Sequence, residues 1–261
     1  MERAKGFEPS TFSLATRRST TELCPQKADY STQLDEWSTI IKCHYRLIFF
    51  FYILMLMNNY PNIIPIFPLS GVIYFPKTNL PLNIFEQRYL NLVDDAYKKD
   101  KLMGMVQAQK KDDTIYKVGC LGRISDYRKS DDGRILINLT GITRFQILDE
   151  QTNDKLYREF KVNYKSFEND LIENKKEIVT SNLLKKTKTF FKRSGLLLNW
   201  KEFEKLDQTQ MINTLAMISP VTNEEKQKLL EAVSLEEKVK TLESIINFYL
   251  HEIDFNNQTI Q

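Results

Sequence analysis

Between Ile63 and Phe167 the apolar residues fall in short runs separated by Pro, Gly and Asp, a pattern of strands and tight turns. The runs predict strands at Ile63–Phe67, Val72–Phe75, Pro81–Phe85, Leu102–Ala108, Val118–Tyr127, Arg134–Leu139, Arg144–Leu148 and Leu156–Phe167. Pro65, Pro68 and Pro76 cannot donate to a ladder, so the first two strands are expected to be edges or to stop at their prolines. One helix interrupts the strands. From Glu86 to about Lys99 the residues Tyr89, Leu92, Val93, Ala96 and Tyr97 recur at helical spacing on one face. Glu86 stands where a helix start favours negative charge, and Lys98 and Lys99 where its end favours positive charge. Lys110–Asp113 reads as a polar turn, Ser130-Asp131-Asp132-Gly133 as a hairpin turn, and Gly141 as a further turn.

Beyond about Glu168 the pattern changes to long apolar periodicity. Asn169–Ser194 is predicted to be one lysine-rich helix, with Ile172, Val179, Leu183 and Phe190 on or near one stripe and Gly195 as its C-cap. Three capping pairs at a spacing of three follow: Asp207 with Gln210, Thr222 with Glu225, and Ser234 with Glu237. They predict helices running to about Ile218, Ala232 and Ile253, with Leu196–Trp200 docking the bundle. The chain thus divides into a leader (1–56), a β domain (60–167), a helical bundle (168–255) and a short tail (256–261).

The stretch Ile66 to Tyr89 holds Phe67-Pro68-Leu69, Phe75-Pro76, Pro81-Leu82, Ile84-Phe85-Glu86 and Arg88-Tyr89. Downstream, in order, come Val118-Gly119-Cys120-Leu121-Gly122, Asp132-Gly133-Arg134 and Gly141-Ile142-Thr143-Arg144-Phe145. This series resembles the Lon protease N-terminal, or substrate-binding, domain over roughly Ile63 to Leu250. The resemblance implies an α+β fold: a PUA-like β pseudo-barrel with one inserted helix, followed by an α-helical bundle. Two positions depart from the family pattern. Gln87 replaces a proline at the helix start, which should loosen that junction. Lys77 replaces a glycine after Phe75-Pro76, which predicts a loop without a positive-φ turn.

The leader is different. Residues 6–18 resemble peptides translated from a bacterial tRNA gene and its flank, so native translation is expected to begin at Met55 or Met57. A rival reading rests on the apolar run Leu47–Met57, preceded by Lys42 and Arg46. Its eleven residues are too few to cross a bilayer, which needs about 20. They could serve as a signal core or membrane anchor, and without that segment no membrane contact is expected.

Charge excludes more than it assigns. Lys plus Arg is 37 and Asp plus Glu 34; without the first 56 residues these fall to 30 and 28. So small an excess gives little counterion-release affinity, and nucleic acid is not an expected partner. Cys24, Cys43 and Cys120 have neither metal-ligand spacing nor a disulfide pattern, which fits a reduced, cytoplasmic setting. No GxxxxGK[ST] motif occurs, and a Ser-His-Asp triad would depend on His44 or His251. No catalytic residue, cofactor or metal is therefore expected, and the ATPase and protease parts of a Lon protease have no counterpart in the chain. Cys120 reads as a small core residue.

Glu86 and Arg88 are two apart on a predicted helix and are not expected to face each other. Together with Phe85, Tyr89, Arg144 and Phe145 they read as structural motif residues. Phe67, Leu69, Phe75 and Pro76 are the candidate polypeptide-binding or edge-strand region. The resemblance implies a non-catalytic protein that binds polypeptide clients and acts as adaptor or modulator of a separate protease in quality control. The alternatives are an RNA-binding PUA-like module, for which Lys185, Lys186, Lys188, Lys192 and Arg193 with Phe190 and Phe191 form the basic-aromatic cluster, or a structural assembly domain.

Overall fold

The strands are β1 (Ile63–Leu69), β2 (Asn79–Ile84), β3 (Leu102–Gln107), β4 (Val118–Lys129), β5 (Ile135–Gln151) and β6 (Glu159–Asn163). Helix α1 (Gln87–Lys98) lies between β2 and β3. A 3-10 segment (Lys165–Leu171) leads to α2 (Ser181–Arg193), α3 (Trp200–Phe203), α4 (Gln208–Ile218), α5 (Asn223–Glu231) and α6 (Leu235–Gln258). These come from a computed structural model that describes residues 60–109, 114–172 and 178–258, the last six by backbone alone. The described residues belong to one compact unit. The expectations for residues 1–56 and for the turn at Lys110–Asp113 lie outside them.

The sheet is mixed, in the order β2-β5-β4-β3-β1-β6, and β5 also pairs with β6. Strand β5 makes this possible by its length. Its first half lies between β2 and β4, and Gln146–Gln151 pairs with β6. The pairings therefore run β5-β4-β3-β1-β6 and return to β5. The predicted turn at Gly141 does not exist, because β5 runs straight through it. Glycine is needed there for close approach: a Cβ would lie 2.2 Å from the Phe75 carbonyl oxygen. The hairpin at Ser130–Gly133 forms as expected, with Gly133 at φ +87° and Ser130 bonded across to Arg134.

Strand β1 is not an edge. It pairs in parallel with β3 and antiparallel with β6. Its prolines fit because the two partners overlap so little. Pairing to β6 covers Ile63–Pro65, and pairing to β3 covers Ile66–Leu69. Ile66 N–H donates to Arg158 on the β6 side, and Leu69 C=O accepts from Ala108 on the β3 side. Alternation then turns Pro65 toward β3, where that ladder has not begun, and Pro68 toward β6, where that ladder has ended. Each missing donor falls where the ladder has no acceptor.

Val72–Phe75 is not a strand but a buried connection after Gly71 (φ +86°). Ile73 and Phe75 point into the helical core while Tyr74 packs into the sheet core beside α1. The Phe75 carbonyl accepts from the Thr78 amide and hydroxyl, and Lys77 N–H donates to Gly141. Against expectation, Lys77 keeps a positive φ of 60°. The closing strand is shorter than predicted, since Tyr164 onward winds into the 3-10 segment. The single helix over Asn169–Ser194 is also corrected. The 3-10 segment ends at Leu171, Val179 is exposed, and α2 starts only at Ser181. Asp207, Thr222 and Ser234 cap as predicted, Thr222 in a full capping box with Glu225. Helix α6 continues past Ile253 to Gln258.

Candidate functional site at the open edge of the first strand

Past Ile66 the chain opposite β1, Leu156–Arg158, has left the ladder, and a cleft of about 410 Å³ opens in the gap. Phe67 and Tyr89, both buried, meet edge-on at 4.3 Å and form its floor. Pro68 and Leu69, half-buried, line the β1 side. Glu86 and Arg88 flank it from the start of α1, and Leu156 stands exposed on the far wall. By alternation from Ile66, the Pro68 carbonyl faces into this gap. The site offers an extended chain one backbone acceptor beside an apolar floor.

The charges at the cleft are paired within the protein. Arg88 Nε donates to Glu86 Oε2 at 3.0 Å and the ion pair closes at 2.8 Å, while its guanidinium sits 4.7 Å over the Tyr89 ring. This corrects the expectation that the two side chains do not meet. Glu86 is the N-cap in an extended conformation (ψ 133°), outside the helix, so its side chain swings back to Arg88. It makes no cap bond to the helix. Arg158 holds Glu150 with two bonds of 2.7 Å, which keeps that carboxyl below its usual range. Tyr157 donates to Asp95 at 2.8 Å, and burial first, then this bond, pushes its hydroxyl up. With each of these cations neutralised, the cleft presents apolar surface and backbone rather than a net field.

The remaining predicted residues lie elsewhere. Phe75 is fully buried, 5.1 Å below the Lys238 ammonium, and the Pro76 carbonyl accepts from Asn213 Nδ2 at 2.9 Å. Neither is on a strand edge. Phe85 is 68 % exposed on the other side of α1, beside a hollow of about 530 Å³ shared with Leu90 and Ile135. Phe145 is buried against Gly104 and Gly119, whose missing side chains make room for its ring.

Arg144 joins the sheet to the helices. Its guanidinium pairs with Asp170 at 2.8 Å, both side chains being buried (3 % and 9 % exposed). It also donates to the carbonyls of Leu230, Ala232 and Val233 at the end of α5, and lies 4.4 Å over Phe167. Nearby, buried Lys238 donates to Asn213 Oδ1 at 2.6 Å. This acceptor is neutral; burial foremost and then Arg144 lower the lysine's pKa to about 7, against the opposing pull of Asp170 and Cys120. Cys120 is buried, as expected, and desolvation pushes its thiol well up. Among the described residues no group of three or more His, Cys, Asp or Glu could hold a metal. Phe190 and Phe191 are buried, so the basic-aromatic cluster has no ring free for base stacking.

Sequence reasoning missed Leu156–Arg158, which it placed inside a strand, and Asp170, Asn213 and Lys238, which carry no local signal. Leu156 could have been found as the one long aliphatic next to the Asn153-Asp154 turn residues.

The fold is that of a Lon N-terminal domain. A Lon N-terminal domain protein from Xanthomonas campestris superposes with a TM-score of 0.55 at 22 % identity, over 70 % of this chain and 97 % of that one. The N-terminal domain of Mycobacterium avium complex Lon protease does so at 0.52 and 16 %, over 71 % and 98 %. The chain belongs to the ATP-dependent protease La (LON) substrate-binding domain family, whose model matches residues 63–247. Lon proteases of Syntrophus aciditrophicus and Flavobacterium johnsoniae are 25 % and 27 % identical over 76 % and 77 % of the chain. The chain spans about a quarter of the length of these curated relatives, 26 % in each case. The match is to the substrate-binding domain, not to an ATPase or protease domain. No helix among the described residues is long and apolar enough to cross a membrane.

Proposed function

We propose that this chain is a non-catalytic polypeptide-binding module of the cytoplasm, which captures extended, apolar client segments and acts as adaptor for, or modulator of, a separate protease. The observation that carries the reading is the cleft past Ile66, where β6 has ended and β1 still offers the Pro68 carbonyl above Phe67 and Leu69. A client strand laid there gains main-chain pairing and buries an apolar side chain against Leu69 and Leu156. The absence of a donor at Pro68 limits this pairing, which suits weak, sequence-tolerant capture rather than tight recognition. The family's name for the domain supports the same reading.

Fluorescence anisotropy with a labelled, reduced and carboxymethylated protein as permanently unfolded client tests it. Saturable binding is expected, weakened about tenfold or more by Leu69→Glu, the scale of one lost aliphatic burial. No binding by the unaltered chain sinks the function, and binding indifferent to Leu69→Glu sinks the cleft. The adaptor role is read by adding the chain to an ATP-dependent protease and timing client degradation; an unchanged rate rejects it.

A further inference from the structure

The charge of this chain is gathered in one place. Residues 185–205 hold seven Lys and Arg against two Glu, a net +5, whereas the whole chain carries +3. This segment is the C-terminal part of α2, the turn after it, and α3. At the centre of the turn Leu197 is fully exposed, with Leu196 more than one-third exposed beside it.

The exposure is built in. Gly195 ends α2 at φ +72°, Leu196 N–H reaches back to Phe191 C=O at 2.9 Å, and Gly195 N–H to Lys192 C=O at 3.3 Å, the Schellman arrangement. On the far side Leu198 and Trp200 pack into the helical core, and the Asn199 side chain caps α3 through Glu202 N–H. Anchored at both ends, the turn holds Leu197 outward. Lys192 precedes it and Lys201 follows it, both exposed. The two glutamates nearby are already taken, Glu204 by Lys188 at 2.6 Å and Glu202 by Lys205 at 2.7 Å.

We propose that the Leu196–Leu197 turn is a docking tip for an anionic membrane surface, the leucines entering the acyl boundary and Lys192 and Lys201 engaging lipid phosphates. The chemistry selects the partner. A nucleic acid matches the positive charge but offers nothing to a projecting aliphatic side chain; Phe190, Phe191 and Phe203 are buried, and the half-buried Trp200 ring is already engaged by Lys188 Nζ at 5.3 Å. An acidic protein would need an apolar pocket to receive a convex tip. A bilayer supplies a deformable apolar phase beneath a negative layer, which is the combination presented here. The tip does not involve the cleft residues, so the proposal stands apart from client binding.

The test is co-sedimentation of the full 261-residue chain with extruded vesicles of phosphatidylglycerol and phosphatidylcholine, or of phosphatidylcholine alone. Partition into the anionic vesicles is expected, suppressed by 0.5 M salt. Leu197→Glu should lower it about tenfold or more. The pair Lys192→Ala and Lys201→Ala should lower it about 25-fold, at roughly fivefold per charge. Both variants should keep their affinity for the unfolded client, which shows that they fold. Equal pelleting with neutral vesicles overturns the proposal. So does undiminished binding by Leu197→Glu, which would place the contact elsewhere, the Leu47–Met57 run included. Binding to polyglutamate as strong as to vesicles and indifferent to Leu197→Glu would mean a purely electrostatic acidic-partner site, and also overturns it.

Discussion

Lys238 makes the stability of this fold depend on pH in an unusual direction. Its side chain is buried at the junction of α6 with α4, beneath it is the Phe75 ring, and it donates to Asn213 rather than to a carboxylate. The charged groups that face it are Arg144 and Asp170, with the Cys120 thiol beyond them. Burial leads in lowering its pKa to about 7. In the unfolded chain a lysine titrates near about 10.4. Between these values the unfolded state holds the extra proton, so stability rises with pH. The slope for one proton is about 1.4 kcal/mol per pH unit. Cys120 acts oppositely: its folded thiol stays protonated while the unfolded thiol ionises near its ordinary value of 9.0, so above that pH its negative slope cancels the positive one. The net gain is therefore confined to about pH 7 to 9 and amounts to about 2–3 kcal/mol. Urea denaturation from pH 6.5 to 10 reads it directly. Lys238→Met should remove the rise, and Cys120→Ala should extend it toward pH 10. Wild-type and Lys238→Met curves that run parallel through this range would refute the reasoning, because Lys238 would then be charged in the folded protein at neutral pH.

Two other perturbations test the joint between sheet and helices. Arg144→Ala strands the buried Asp170 carboxylate and leaves the Leu230, Ala232 and Val233 carbonyls without their donor; a loss of about 3–5 kcal/mol in urea denaturation is expected. Arg144→Lys should recover little of it, since an ammonium cannot reproduce the fork that reaches both partners. Lys77→Gly relieves a left-handed conformation that costs about 1–2 kcal/mol in a side-chain-bearing residue, offset in part by glycine's greater freedom when unfolded. A net gain of about 0.5–1 kcal/mol is expected, and a loss would mean that the 3.7 Å contact of Lys77 with Asp207 outweighs the strain.

What the sequence shows of this fold is what local chemistry decides. The helix caps at Asp207, Thr222 and Ser234, the Gly133 hairpin and the Gly195 stop each follow from residues within four positions of one another. The failures lie where distant segments overrule the local pattern. Val72–Phe75 has the residues of a strand but no partner, because Gly141 brings β5 so close that the Phe75 carbonyl occupies the space a ladder would need. Lys238 has the appearance of a surface lysine on a polar helix start, and only the arrival of Phe75 and Asn213 from elsewhere in the chain buries it. The candidate site combines both cases. Its prolines signal missing ladder donors, and the structure has no ladder acceptor at either of them. Yet they do not make β1 an edge, because the position of an edge depends on where β3 and β6 begin and end, which no residue of β1 encodes. The cleft is thus a product of strand length: continuing β6 three residues back to Leu156 at the present register would pair Pro68 and close the gap. The short closing strand, which begins only at Glu159 after the excursion of Leu156–Arg158, is what leaves β1 without a partner on that side past Ile66.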